Sequence, residues 1–159
     1  SVMKLPIAFV CENNLYSVYS PLSVRQPLAR KISKTANSLS INSINTESDN
    51  VVDIYNDVKN IILKVREESC PYFIEIKTYR YKEHCGPGED DYLGYRSAEE
   101  IELWKKKDPV IHIKKNLAPA LESLFMENIY NEIREAFDHA KSSPFPEDFE
   151  AELNVYKER

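Results

Sequence analysis

The sequence contains very little glycine. Only three glycines occur in 159 residues, and Gly86, Gly88 and Gly94 all lie within nine residues of one another. Glycine readily adopts positive φ and lets a backbone approach a ligand closely. The loop that holds them, and also His84, follows the predicted strand Tyr72 to Tyr79. Because ligands of α/β sheets bind beyond the carboxyl ends of strands, this loop is the leading candidate site; a mobile surface loop with an incidental histidine is an equal alternative.

A basic stripe and a long apolar run are both missing. The formal net charge is −5 and the isoelectric point is about 5.3, so nucleic acid and anionic membranes are poor partner candidates. No apolar run approaches the ~20 residues that a membrane-spanning helix needs, and the first residues do not resemble a signal peptide. We therefore expect neither nucleic acid nor a membrane among the partners.

Cysteines are few, odd in number and far apart. Cys11, Cys70 and Cys85 form no Cys-x-x-Cys pair. This spacing favours free thiols over a disulfide framework or a zinc site, and free thiols are typical of a reducing compartment. The expected location is cytoplasmic.

The chain does contain alternating strand and helix patterns. Leu5 to Cys11 is a nearly unbroken apolar run, typical of a buried strand in a parallel sheet, and Leu39 to Asn45 predicts a second strand. Apolar residues then recur at three- and four-residue spacing up to Glu68, which predicts an amphipathic helix with Asp49 as its cap. The strand at Tyr72 to Tyr79 follows. Strand, helix and strand in this order predict an α/β fold with a parallel sheet.

The last third of the sequence is predicted to be helical. Ser97 and Glu100 form a capping box at the start of one helix. An apolar stripe from Leu117 to Ala140 predicts a helix of about 24 residues that packs on the sheet or on a partner subunit. The tail to residue 159 is predicted to be extended. We expect one domain in residues 1–96 and a helical extension in residues 97–159.

Polar residues follow the first predicted strand. Asn13 and Asn14 are followed by Leu15 and Tyr16. Asparagine tolerates left-handed turns, and its amide oxygen, together with backbone carbonyls, is a reasonable part of a magnesium or calcium shell. From these residues alone, a plain turn is the better interpretation.

Taken together, these segments resemble one protein family. Leu5 to Asn14, Tyr72 to His84 and Tyr95 to Glu100 occur in the order and spacing of the alpha subunit of the thiamine-diphosphate-dependent first component of 2-oxo acid dehydrogenase complexes. Trp104 and Asp108-Pro109 follow in the same order. The resemblance covers nearly the whole chain, and the joint pattern is specific although no single piece is. It implies part of the family's parallel-sheet cofactor-binding fold with a helical carboxyl-terminal region.

The resemblance also implies cofactors and site residues. Thiamine diphosphate and magnesium are the implied cofactors, and the Asn14 side chain and the Tyr16 backbone carbonyl are the implied magnesium ligands. His84 is the implied catalytic residue, near the diphosphate on the loop that faces the lipoyl group, with a polar or proton-handling role. Arg96 is inferred to anchor the far end of that loop. The implied reaction decarboxylates a 2-oxo acid and passes the acyl group to a lipoyl carrier.

One part of the family pattern is missing. The family's diphosphate motif opens with Gly-Asp-Gly and closes with Asn-Asn, and this chain has only the closing pair, Asn13-Asn14. Magnesium prefers near-octahedral oxygen coordination, and two ligands at best are present. We therefore expect the carboxyl-terminal half of a subunit, inactive and without its cofactors when alone. Its expected partners are the missing amino-terminal half, a beta-type subunit or domain, and a lipoyl-bearing acyltransferase.

Other interpretations stay open. The chain could be a non-catalytic α/β interaction module with the Leu117 to Ala140 helix as its partner surface. It could also belong to a related thiamine enzyme that acts on acetoin or a sugar-derived ketone. Cys85 and Gly94 stand where animal members of the family carry regulatory serines, so phosphorylation is not expected at these two positions. The loop sequence Glu83 to Pro87 also departs from the commonest pyruvate-type loop and leaves the substrate open.

Overall fold

The computed structural model describes residues 1–46, 48 and 50–153. The chain forms two compact units, Ser1–Ile113 and Lys114–Arg159. The domain boundary expected after residue 96 lies inside the first unit and remains a prediction. Asp49, the expected helix cap, and the tail from residue 154 onward lie outside the described residues.

A three-stranded parallel sheet forms the centre of the first unit. Its strands are β1 (Ala8–Asn13), β4 (Asn42–Thr46) and β5 (Tyr72–Lys77), in the order β1-β5-β4. Two short strands, β2 (Tyr16–Ser17) and β3 (Ser20–Pro21), form an antiparallel hairpin directly after β1. The parallel sheet confirms the predicted α/β class. Both β1 and β4 begin three residues later than the sequence pattern predicts.

Six helices accompany the strands in the described residues. They are α1 (Leu22–Arg25), α2 (Ile32–Ser38), α3 (Val51–Glu68), α4 (Ala98–Lys106), α5 (Pro109–Lys114) and α6 (Pro119–Ser142). Short 3₁₀ turns occur at Asp91–Leu93 and Asp148–Glu152. Across the described ranges, no helix combines the length and the hydrophobicity needed to cross a membrane.

Helix α3 supplies the hydrophobic core on one face of the sheet. Its Ile61 and Val65 pack against Ile74 of β5, which has no exposed surface. The Asn50 side chain begins the helix by accepting a hydrogen bond from the Val52 amide at 2.9 Å. The helix ends at Glu68, as the sequence predicts. The core thereby fixes β5 between its two neighbours and sets the position of the loop that follows it.

The second unit is built around α6. This helix spans 24 residues, as predicted, and Pro119 occupies its first turn, where a missing backbone N–H costs nothing. Its large apolar side chains are between 42 and 64% exposed: Leu121, Leu124, Phe125, Ile129, Tyr130, Ile133 and Phe137. The expected extended tail is interrupted by the 3₁₀ turn at Asp148–Glu152, so that expectation is wrong for these residues.

Candidate functional site

Two loops leave the sheet at the same edge. Strand β1 leads into the turn Asn14 to Tyr16, and β5 leads into the long loop of residues 78–96. The Thr78 amide donates a hydrogen bond to the Asn13 carbonyl at 3.0 Å, so strand pairing continues to the start of both loops. Since parallel neighbours end on one side of a sheet, the two segments meet where α/β proteins place their ligands.

The first turn is held by its two asparagines. The Oδ1 atom of Asn13 accepts a hydrogen bond from the Leu15 amide, and Oδ1 of Asn14 accepts one from the Tyr16 amide, both at 3.0 Å. These are Asx turns, in which a side chain stands in for a backbone carbonyl. The left-handed residue is Leu15, with φ of 64°, and not an asparagine. The turn expected from the asparagines is present.

The turn offers oxygen ligands for a cation. The Asn14 amide oxygen and the Tyr16 backbone carbonyl are of the ligand type that Mg²⁺ prefers. No cluster of three or more His, Cys, Asp or Glu side chains suited to a metal occurs among the described residues. Two oxygens fill at most two of the roughly six positions of an octahedral shell. The chain therefore fits magnesium in ligand type and supplies only part of its coordination.

Tyr16 is anchored at its side chain as well. Its hydroxyl lies 2.9 Å and 2.8 Å from the two carboxylate oxygens of Glu100, and its ring meets Tyr95 edge to face at 5.6 Å. Burial, followed by the Glu100 carboxylate, raises the pKa of Tyr16 to about 12, so the hydroxyl stays protonated and donates. The Glu100 amide donates to Ser97 Oγ at 3.1 Å, as the capping box predicts. The turn is thus tied to the first turn of α4.

The far end of the long loop is fixed by a buried ion cluster. The side chains of Arg96 and Asp90 are each only 2% exposed, and Arg96 Nη2 donates to Asp90 Oδ1 at 2.5 Å. The same nitrogen donates to Asp91 Oδ1 at 2.7 Å, and Nη1 donates to the Arg80 carbonyl at 2.5 Å. The Arg96 guanidinium also lies over the ring of Tyr95, 4.7 Å from its centre. Arg96 therefore anchors the loop, as the sequence interpretation inferred.

Arg80 joins the long loop to the β2–β3 hairpin. Its Nη2 donates to the Val18 carbonyl at 3.0 Å and to the Tyr95 hydroxyl at 3.1 Å, and its Nε donates to the Lys82 carbonyl at 3.0 Å. The remaining nitrogen, Nη1, lies 3.3 Å from Nδ1 of His84. One guanidinium thus links both loops and contacts the candidate catalytic histidine.

His84 is exposed on a small closed turn. The Glu83 amide donates to the Gly88 carbonyl at 3.0 Å, and the Gly88 amide donates back to Glu83 Oε1 at 3.1 Å. A Cβ atom at Gly86 would lie 2.5 Å from that carboxylate oxygen, so the missing side chain makes room for it. Gly94 has φ of 68°, a left-handed conformation. Gly94 thus has a conformational role in the loop, whereas Gly86 leaves space for the Glu83 carboxylate.

A polar cavity of about 390 Å³ opens at the same edge of the sheet. It is lined by Asn13, Leu15, Asn45, Thr46, Glu75 and Lys77. Glu75 is 6% exposed and accepts hydrogen bonds from Asn13 Nδ2 at 2.8 Å and from the Ser33 amide at 3.1 Å. These bonds hold the end of β1 against β5 and α2. The lining suits a hydrogen-bonding ligand better than an apolar one.

The three residues proposed from the sequence belong to one contact network. Asn14 bonds the backbone of Tyr16, Tyr16 packs on Tyr95, Tyr95 bonds Arg80, and Arg80 contacts His84. The structure brings their elements together, and their chemical roles stay predictions.

Sequence reasoning missed the residues that hold this network in place. Asp90 and Tyr95 were given no role of their own, and Glu100 was considered only as a helix cap. The acidic run at residues 89–91, inside a loop that also carries two arginines, is the one signal that pointed to a buried ion cluster. The bond between Tyr16 and Glu100 joins residues far apart in sequence and left no local pattern.

Comparisons with known proteins identify the family. The family model described as dehydrogenase E1 component matches residues 1–148. The pyruvate dehydrogenase E1 component subunit alpha of Rickettsia bellii is 32% identical over 158 residues, which cover 96% of this chain and 47% of the relative. The 2-oxoisovalerate dehydrogenase subunit alpha of Bacillus subtilis is 30% identical over 151 residues, which cover 91% of this chain and 45% of the relative.

The human mitochondrial 2-oxoisovalerate dehydrogenase subunit alpha is more distant, with 28% identity over 99% of this chain and 36% of its own length. The chain spans about half the length of the first two relatives. The matched residues contain both loops and all three site residues proposed from the sequence. This chain therefore belongs to the dehydrogenase E1 component family.

Proposed function

We propose that the chain is part of a thiamine-diphosphate-dependent dehydrogenase that decarboxylates a 2-oxo acid and passes the acyl group to a lipoyl carrier. The relatives support this proposal, because they are named as alpha subunits of pyruvate and 2-oxoisovalerate dehydrogenases. The observation that carries it is the meeting of two loops at one sheet edge. The Arg80 guanidinium joins them by bonding the Val18 carbonyl at 3.0 Å while it contacts His84.

When bound, thiamine diphosphate supplies the carbanion chemistry that releases carbon dioxide from a 2-oxo acid. In this chain, the Asn14 amide oxygen and the Tyr16 carbonyl would hold the magnesium that accompanies the diphosphate. The Asx turns and the bond from Tyr16 to Glu100 keep these two oxygens in place before the metal arrives. His84 would hold a proton near the diphosphate, and the ion cluster around Arg96 would keep its loop closed over the site.

We propose that the remaining magnesium ligands come from an amino-terminal half outside these 159 residues, and that a beta-type subunit or domain completes the active site. Edge strand β1 supports this, because Phe9 and Val10 are 44 and 54% exposed. A lipoyl-bearing acyltransferase would receive the acyl group. The proposed location is the cytoplasm, on the ground that Cys11, Cys70 and Cys85 are all free thiols.

A second candidate function is a non-catalytic interaction module. The observation that favours it is the exposed apolar side of α6, because a contiguous apolar patch on a surface commonly marks a binding site. The two candidates differ in one measurable property, since only the first requires affinity for thiamine diphosphate and magnesium.

Thermal unfolding with and without thiamine diphosphate and Mg²⁺ tests the proposal. Ligand at ~100 times its dissociation constant stabilises a protein by about 2.7 kcal/mol. We expect this stabilisation in the complete enzyme assembled with its beta-type partner, and none in the 159-residue chain alone. No stabilisation of the complete enzyme would overturn the proposed function. Stabilisation of the chain alone would instead contradict the half-site interpretation.

A further inference from the structure

The Arg80 guanidinium is held in a single orientation. Its Nε and Nη2 atoms are used by the carbonyls of Lys82 and Val18, at 3.0 Å each, and by the Tyr95 hydroxyl at 3.1 Å. These bonds come from three different segments of the chain. Because the guanidinium is planar, they also fix the direction of Nη1, which lies 3.3 Å from His84 Nδ1.

The orientation of Arg80 is supported by Tyr95 and by the buried Asp90. The Tyr95 hydroxyl donates its own proton to Asp90 Oδ2 at 2.9 Å, so its lone pairs are left to accept from Arg80. The Asp90 carboxylate, 2% exposed, lies 3.7 Å from Arg80 and is itself bonded by Arg96. The position of Arg80 is therefore set by the interior of the loop and not by a flexible surface contact.

The contact with His84 has only one chemically consistent form. Arginine has five N–H donors and no acceptor, and it does not lose its proton in proteins. The Nδ1 atom of His84 must then be the acceptor, which requires a lone pair on that nitrogen. A doubly protonated ring has none, and a neutral ring with an unprotonated Nδ1 carries its proton on Nε2.

We propose that Arg80 is a positioning residue that selects the Nε2–H tautomer of His84. The exposed ring then presents a hydrogen-bond donor to its ligand, and not a basic nitrogen. The natural acceptor for such a donor is an anionic oxygen, such as one of a diphosphate; this identification of the ligand rests on the proposed function. In this arrangement His84 donates a hydrogen bond from Nε2 and neither abstracts nor releases a proton.

The ring nitrogens of His84 can be observed directly by nitrogen-15 NMR. The chain contains three histidines, so a full chain labelled at histidine gives three ring spin systems, and a His84→Gln variant identifies the one of interest. At a pH where the rings are neutral, we expect the chemical shifts of an unprotonated Nδ1 and a protonated Nε2. In Arg80→Met, which has no donor, these shifts should move toward those of a mixture of tautomers.

Two matched variants make the test specific. Arg66→Met replaces an exposed arginine in the last turn of α3 and should leave the His84 signals unchanged. Arg80→Lys keeps a cationic donor and should retain the Nε2–H tautomer. Circular dichroism and thermal unfolding report whether each variant is folded.

A wild-type ring that carries its proton on Nδ1 overturns the proposal, and so does an unchanged tautomer in folded Arg80→Met. If Arg80→Met does not fold, Arg80→Gln takes its place, because its amide can accept from Nδ1 as well as donate to it and should therefore give the same mixture of tautomers. The measurement needs no cofactor. A complete enzyme that fails to bind thiamine diphosphate would thus refute the proposed function and leave the tautomer assignment of His84 valid. Conversely, a His84 ring with its proton on Nδ1 would refute the tautomer proposal and leave the proposed function valid.

Discussion

Among single side chains, Asp90 is the buried carboxylate shared by both arginines of the long loop. It is 2% exposed and accepts hydrogen bonds from Arg96 and Tyr95 while lying close to Arg80. Removing one partner of a buried ion pair leaves the other charge uncompensated, which costs about 3–5 kcal/mol. We therefore expect Asp90→Asn to destabilise the chain by about 3 kcal/mol. This value is at the lower end of that range, because Asp91 still bonds Arg96 in the variant.

Urea denaturation measures this loss. The matched control is Asp57→Asn, which removes an exposed aspartate of α3 and should change the unfolding free energy by less than about 0.5 kcal/mol. An Asp90→Asn chain as stable as the control would show that the cluster does not hold the loop.

Replacing His84 should lower the catalytic rate while leaving the stability of the chain nearly unchanged. Because the ring is exposed, His84→Ala should change the unfolding free energy by no more than about 0.5 kcal/mol. A preorganised hydrogen-bond donor contributes a factor of about 10² to 10³ to a rate, so acyl transfer by the complete enzyme should fall by about 10² or more.

The rate of lipoyl acylation in the complete enzyme measures this effect, and His139→Ala, on α6, is the control. Unchanged acyl transfer in the His84 variant would remove this histidine from the mechanism. A matching loss in the His139 variant would point to a general effect on the protein.

At the scale of elements, the bond between Tyr16 and Glu100 couples the first turn to α4. The pKa of Tyr16 in the folded chain is raised to about 12, above the ordinary tyrosine value of about 10. A raised pKa means that the folded state holds the proton more tightly. The stabilisation is therefore complete below pH of about 10 and is lost as the pH rises toward about 12.

Tyr16→Phe cannot ionise and lacks this contribution. We expect the wild-type chain to lose more stability than Tyr16→Phe between pH 10 and pH 12. These limits are the ordinary tyrosine pKa of about 10 and the pKa of about 12 that Tyr16 has in the folded chain. Urea midpoints at both ends of this range measure the difference. Tyr92→Phe, at a side chain that is 82% exposed, should behave like the wild type. Equal losses in all three proteins would contradict the coupling.

The elements also show what the sequence could and could not predict. The ends of helices α3 and α6 were predicted to within about two residues. Many apolar positions repeat at helical spacing along these helices, which are 18 and 24 residues long. The start of β1 was placed too early, since Leu5 to Ile7 are as apolar as the strand itself. A short apolar run carries no signal for where hydrogen bonding to a neighbour begins.

The candidate site was predicted in part. The rule that ligands bind beyond strand ends pointed to the loop of His84, whereas Asn14 and Tyr16 were chosen from the family resemblance, and the chemical roles of all three stay predictions. Arg80 bonds the carbonyl of Val18, whose backbone is in the left-handed region with φ of 57°. Valine rarely adopts this conformation, so the sequence does not predict it. The local bonds of the asparagine turn and of the Ser97 cap were expected from the sequence, whereas the bonds from Arg80 to Val18 and from Tyr16 to Glu100 depend on tertiary placement.

For the whole molecule, the apolar side of α6 is the main candidate for a partner surface. Leu124 and Ile133 are 51 and 49% exposed, so replacing both by glutamate should leave the helical content of the chain unchanged. If this surface binds the beta-type subunit, the affinity should drop about tenfold or more, because buried apolar contacts contribute most of the energy of an interface.

Circular dichroism measures the helical content, and sedimentation with the beta-type subunit measures the affinity. Glu132→Gln, an exposed polar position of the same helix, is the control and should bind normally. Undiminished binding by the double variant would place the interface elsewhere on the chain.

The strand order β1-β5-β4 has a consequence for how the chain is made. The central strand is the last of the three in the sequence, and within the described residues each outer strand pairs with it alone. During synthesis β1 and β4 therefore cannot form their contacts with β5 until the residues from Tyr72 onward leave the ribosome. Non-local pairing of this kind slows folding, because the chain loses the entropy of closing a long loop before it gains the energy of the strand contacts. This part of the sheet is therefore expected to form only after β5 has been synthesised.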